Sequence, residues 1–186
     1  MDAITALHSR RAAPRLTEPA PSARELEQIY QAALRAPDHA MLRPWRFLTI
    51  SGEGRIKLGE LFAEAMPSQT AEERSKLLNA PLRAPMIIIA VAQIVEHPKV
   101  PPVEQISSTA AAVQNMSLAA HALGYASIWR TGKAAFDPVV KKGLGLSESD
   151  EIVGLLYLGT ATVNDRPVPE MDSAEYFEAW PAPENL

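Results

Sequence analysis

The sequence predicts an α+β fold, and three features carry that reading. Met86–Ala92 is a run of seven apolar residues, rich in isoleucine and too short for a helix core. Such a run suits a central strand buried on both faces. Val103, Ile106, Ala110, Val113, Met116, Ala120 and Leu123 step by three or four, the spacing of one face of a long helix. The remaining strand-like segments do not alternate cleanly with helices, which argues against a doubly wound parallel sheet.

The elements follow in order. Asp2–Ser9 suits a short helix with Ile4 and Leu7 on one face. Ser22 and Glu25 have capping-box spacing. Leu26, Ile29, Tyr30, Ala33 and Leu34 then repeat at helical spacing up to the break at Pro37. Trp45–Ile50 reads as a strand. Gly52–Ala65 reads as an amphipathic helix carrying Ile56, Leu58, Leu61 and Phe62, and a polar helix covers 69–79. The long helix has about 20 residues, or about 30 Å, and Gly124 ends it. Ala126–Arg130 is a short strand. Phe136–Leu144 is a helix with Pro138 in its first turn, and Ile152–Gly159 is a second buried strand. The expected sheet has about four strands with two long helices against it.

Two segments stay open at this level. The long helix is rich in small residues, from Ser107 and Ser108 through Ala112 to Ala119 and Ala120. That composition suits a symmetric interface or a helix buried within one subunit. Thr160–Leu186 carries Val163, Val168, Met171, Phe177 and Trp180 with little regular pattern. It is either a frayed end or a tail that packs on something.

Composition narrows the function classes. A chain of 186 residues is expected to form one domain with a real core. A net charge of −4 argues against a dedicated nucleic-acid binder. There is no cysteine, hence no disulfide and no thiolate nucleophile, which fits a cytoplasmic, reducing setting. Met1–Arg11 lacks the apolar core of a secretory signal, and no apolar run reaches the length of about 18 residues needed to span a membrane. No Gly-rich turn opens a helix after a strand, which excludes the dinucleotide fingerprint and the P-loop. Without cysteine or an H-E-x-x-H motif, no metal chemistry is expected.

The densest local signal is Arg35–Trp45, R-A-P-D-H-A-M-L-R-P-W. Two prolines and a tryptophan stiffen a loop that also carries Arg35 and His39. It reads either as a rigid connection with solvated charges or as a cationic cradle for a planar anion.

Four segments in register now point to a family. They are Arg10–Arg11, then R-A-P-D-H-x-x-x-x-P-W-x-F-x-x-I at 35–50, G-Y-A-S-I-W-R-T-G at 124–132 and I-V-G-L-L-Y-L-G-T at 152–160. Together they resemble the FMN-dependent nitroreductase-like family, most closely its short YdjA-type branch. The resemblance implies a nitroreductase-like fold with a mostly antiparallel sheet of four to five strands flanked by helices. It also implies an intertwined homodimer with FMN at the subunit interface. Residues 160–186 would be a C-terminal extension packing on the partner. The implied activity is hydride transfer from NADH or NADPH through FMN to an electrophilic acceptor, in a ping-pong scheme.

The resemblance assigns residues as well. Arg10, Arg11 and Ala12 match the segment that meets the FMN phosphate and ribityl chain. Arg35 and His39 match the part supplied by the opposite subunit. Trp129, Arg130 and Thr131 match the segment beside the flavin, although Trp129 also suits plain core. Arg35 and Arg130 are the cations expected near the ring. His39 is a candidate proton donor, and no other catalytic side chain is implied. The chain departs from the wider pattern at Ala12, where relatives often carry Ser, and at Pro14, where they often carry a base. Arg15 is one residue later, Arg43 replaces a common Gln, and Arg166 is the candidate for a C-terminal phosphate contact apart from Lys133, Lys141 and Lys142. Ala119–Gly124 is read as the end of a packed helix. Two other functions fit the same residues: a low-turnover flavin-binding protein for storage or sensing, and an FMN oxidoreductase for a specialised non-nitro substrate. Loops 64–80 and 96–104 would set acceptor choice.

Overall fold

The computed structural model describes residues 1–67, 70–162 and 167–180. The apolar run becomes β3 (Met86–Ala92), in the middle of a five-stranded sheet. It pairs antiparallel with β2 (Trp45–Ser51) on one side and β5 (Glu151–Ala161) on the other. β4 (Ala126–Arg130) takes the free edge of β5, and β1 (Leu16–Thr17) pairs with its last residues; both are antiparallel. β1 was not expected, because a strand of two residues is too short to show alternation. β5 runs past Gly159, so Thr160 and Ala161 belong to the sheet and the tail begins after them.

Helices cover both faces, which explains why β3 is apolar throughout. Ile88, Ala90, Leu156 and Leu158 pack with α2 (Ala23–Ala33) and α5 (Pro102–Ala122). Ile87, Ile89, Val91, Leu155 and Tyr157 pack on the other face, with Leu58 and Phe62 of α3 (Gly54–Ala65) and Val140 of α6 (Pro138–Gly143). α4 (Ala71–Asn79) lies on α3, where a Cβ on Gly59 would stand 2.4 Å from the Leu78 carbonyl oxygen. The α2 capping box at Ser22 and Glu25 is formed, and Tyr125 ties it to β4 by donating to Glu25 at 2.9 Å. A second box, Thr70 with Glu73, starts α4 two residues later than the pattern suggested; Ser68 and Gln69 lie outside the described residues. The expected helix 136–144 is split. Asp137 caps α6 by accepting from the Val139 N–H at 2.8 Å, and Lys133–Phe136 forms a separate 3-10 turn.

Some apolar positions read as core are open. Ile4 and Leu7 of α1 (Ala3–Ser9), Ile56 and Val103 are all at least half exposed, while Ala6 is the buried residue of α1. The small residues of α5 divide. Ser108, Thr109, Ala112 and Ala120 are buried within the chain, so close packing inside one subunit accounts for them. Val103, Ser107 and Gln114 lie on the open side of the helix, with Ala110 and Leu118 half-buried beside them. No helix among the described residues is long and apolar enough to cross a membrane.

Candidate functional site

The outer edge of β4 organises the site. The chain leaving α1 meets that edge at Ala12, which bridges Ser127 in parallel, and the Ala13 N–H donates to the Ser127 carbonyl at 3.1 Å. It then reaches β1 beside the end of β5. This path places Arg10, Arg11, Ala12 and Arg15 around a cavity of about 940 Å³. The wall is completed by Thr160–Thr162 and by the last turn of α5 with Gly124. No carboxylate is among the described lining residues. α1 and α5 both end here, and helix C-termini favour cations. Guanidinium groups suit a phosphate monoester.

His121 also lines this cavity, and its Nε2 is 2.8 Å from Ser9 Oγ. Ser9 Oγ also lies 2.6 Å from the Thr5 carbonyl oxygen, so the hydroxyl sits between that carbonyl and the imidazole. Burial, then Arg10 and Arg11, hold the His121 pKa below its ordinary value.

Arg130 stands at the other end of β4. Its Nη2 donates to the Pro14 carbonyl at 3.4 Å, and its guanidinium carbon lies 5.7 Å from the Tyr157 ring centroid. Its Nε is buried and has no hydrogen-bond partner among the described residues. A buried donor left unpaired is costly, and an acceptor on a bound group would remove that cost. Arg130, Thr131 and Gly132, the last with φ of 89°, run along a second cavity of about 500 Å³. Its wall adds Arg83 and Lys133 to the apolar Phe62 and Met66. Trp129 does not join this group. Successive strand residues point to opposite faces. Trp129 pairs with Leu156 of the α5-side core, while Arg130 pairs with Leu155 of the α3-side core. Its indole donates to the Val153 carbonyl at 3.2 Å and lines neither cavity.

The Arg35–Trp45 loop lies elsewhere. His39 Nδ1 pairs with Glu104 at 2.7 Å, and Ser108 Oγ donates to the Pro37 carbonyl at 2.6 Å. Both partners lie in the first two turns of α5, whereas His121 lies in its last. A rise of 1.5 Å per residue puts about 26 Å between Glu104 and His121 along the axis. Within one chain the structure therefore does not bring Arg35 and His39 to Arg10 and Arg11. The loop is strained: Ala40, Met41 and Arg43 have φ of 61°, 53° and 49°. For residues other than glycine this left-handed conformation costs about 1–2 kcal/mol each. Asp38 helps to hold it by accepting from the Arg43 N–H at 2.7 Å.

Residues 7–160 match the model of the Nitroreductase family. The chain belongs to the nitroreductase family. It is 44% identical over 162 residues to "Putative NAD(P)H nitroreductase YdjA" of Escherichia coli K12, covering 86% of this chain and 88% of that one. A Haemophilus influenzae protein named "Putative NAD(P)H nitroreductase" is 39% identical over 163 residues, with 86% and 89% covered. The crystal structure of a nitroreductase-like family protein from Bacillus cereus superposes with a TM-score of 0.82 at 27% identity, covering 96% of each chain. NfnB from sphigopyxis sp. strain HMH, described as an FMN- and NADPH-dependent nitroreductase, shares the fold with a TM-score of 0.74 at 20% identity; 96% of this chain and 99% of that one are covered. The nitroreductase-like α+β fold and membership of an oxidoreductase family are thus established.

The end of α5, expected only to pack, also walls the first cavity. His121 and Gly124 come to the cavity wall because the helix ends beside the chain leaving α1. The signal was a histidine in a last helical turn, which periodicity alone reads as packing. Arg166, the proposed C-terminal base, and Val163, one of the tail anchors, lie outside the described residues.

Proposed function

We propose that this nitroreductase-family chain is a cytoplasmic FMN-dependent oxidoreductase. It would carry hydride from NADH or NADPH to an electrophilic acceptor such as a nitroaromatic or a quinone, by a ping-pong scheme. The observation that carries this reading is the run of groups along β4. It starts at a cavity walled by Arg10, Arg11 and Arg15 and ends at Arg130, whose buried Nε has no acceptor among the described residues. FMN has an anionic phosphate at one end and an acceptor-rich ring at the other, so it fits both.

In this reading Arg10 and Arg11 hold the phosphate, with backbone N–H groups near Ala12 adding donors. Ala12 offers no hydroxyl, which forgoes about 1 kcal/mol of hydrogen bonding. When bound, FMN supplies the hydride chemistry. Arg130 presents a cation and an unused N–H to negative charge that develops on the ring. Thr131 lies beside it at the strand end. Trp129 acts from the opposite face of the sheet, by holding β4 to β5.

We further propose a homodimer. Its pocket would be completed by Arg35 and His39 of a second copy, since α5 keeps these residues far from Arg10 within one chain. His39 would then be the candidate proton donor. Each chain would form a single domain, with its tail laid on the partner. Exposure of Val168, Met171, Phe177 and Trp180 supports that tail placement. The test is the visible spectrum of purified protein. Bound flavin that bleaches anaerobically with NADH or NADPH is expected. Colourless protein that takes up no added FMN would overturn the reading, and coloured protein that never bleaches would reduce it to flavin storage or sensing.

A further inference from the structure

We propose that His121, aimed by Ser9, is an additional ligand of the phosphate monoester and selects its doubly ionised form by taking up a proton on binding. This rests on the flavin reading above. The geometry carries it. His121 and Ser9 both line the cavity that Arg10 and Arg11 enclose. The 2.8 Å contact of Nε2 with Ser9 Oγ orients the ring; with the serine proton donated to the Thr5 carbonyl, 2.6 Å away, Nε2–H is the donor. Nδ1 is then the second nitrogen, and it has no hydrogen-bond partner among the described residues.

The charges around the ring set the direction of the effect. From α1 and the segment after it come Ser9, Arg10 and Arg11; the cavity adds Arg15 and Met1. None is a carboxylate. Tyr125, on the strand after α5, turns its hydroxyl to Glu25. Without an anion, an imidazolium here is repelled by Arg10 and Arg11 as well as disfavoured by burial. A phosphate dianion between the same groups reverses the local field and favours the imidazolium, whose Nδ1–H becomes a donor. The proton comes from solvent, and no covalent bond changes. Binding should therefore raise the His121 pKa, and by linkage FMN should bind more tightly as pH falls from 8 towards 6.5. Below about pH 6 the phosphate itself takes up its second proton and the trend should reverse.

The experiment is an NMR titration of the imidazole resonances of the whole protein, alone and with FMN, riboflavin or inorganic phosphate. His121 is assigned by exclusion, through substitution of His8, His39 and His97 in turn. A rise of the His121 pKa by about one unit with FMN and with phosphate, but not with riboflavin, is expected. His121→Gln should lose the several-fold gain in FMN affinity that wild type shows between pH 8 and pH 6.5. FMN binding with no movement of the His121 pKa would overturn this inference and leave the flavin reading intact. No FMN binding, with the pKa raised by phosphate, would overturn the flavin reading and keep His121 as an anion ligand. No response to either would overturn both. If His121→Gln does not fold, the wild-type titration still decides.

Discussion

The indole of Trp129 lies over Gly154, and a Cβ built on Gly154 would stand 1.9 Å from Trp129 Nε1. The next contacts are Trp129 Cδ1 at 2.5 Å and the Arg130 carbonyl oxygen at 3.1 Å. A glycine in the interior of β5 is a local weakness, and here it makes room for the ring. Gly154→Ala should cost about 1–3 kcal/mol by overpacking, seen as a drop in thermal midpoint. Adding Trp129→Ala should recover part of that loss, so the double mutant should be less destabilised than the sum of the singles. Strict additivity would show that the ring is not what the methyl meets.

Arg10→Ala should weaken FMN more than riboflavin, because riboflavin has no phosphate. The expected difference is about 1.5–3 kcal/mol, as for hydrogen bonds to charged groups. Fluorescence titration with both ligands measures it. Equal weakening would place Arg10 away from the phosphate.

The separation of His39 from His121 along α5 makes the shared pocket testable by mixing. Arg10→Ala and Arg35→Ala chains are co-expressed and the heterodimer isolated. If the pocket is shared, each heterodimer has one doubly damaged pocket and one intact pocket. Flavin binding with wild-type affinity in about half the pockets is expected by that geometry. Binding no better than in either parent homodimer would mean that each pocket is built from one chain.

Deleting residues 167–186 should lower both dimer stability and FMN affinity, because association and ligand binding are linked. The cut must fall after Thr162, since Thr160 and Ala161 pair with β1. Phe177 and Trp180 are 80% and 95% exposed in the single chain, which is where the tail has most apolar surface to cover. Sedimentation and FMN titration of the truncated chain measure the two effects, and an unchanged dimer with unchanged affinity would detach the tail from both.

Much of the sheet was legible because its signals are local. Met86–Ala92 is apolar throughout because helices cover both faces, and Ser22 with Glu25 marks a helix start within four residues. Asp137 was harder: an aspartate before Pro138 is an N-cap as readily as a helical residue, and only the Val139 bond decides. The candidate site was legible where resemblance supplied it, at Arg10, Arg11, Arg130 and Thr131. His121 was not. It becomes visible only when residues 112 apart in sequence, Ser9 and His121, are brought together. Trp129 and Arg130 are neighbours in any motif, yet strand alternation sends them to opposite sides of the sheet. The open side of α5 was equally hidden, because small residues read the same whether they face a partner or the protein's own α2.

α5 also constrains how the chain can change in length. One residue added near its middle would turn the last two turns by about 100° and advance them by about 1.5 Å. Glu104 would keep His39, but His121 would swing off Ser9 and out of the arginine-walled cavity. Residues added between β3 and α5 would disturb neither end's register. Insertions and deletions among homologous chains should therefore gather in the connections before and after α5 and spare the count from Glu104 to His121.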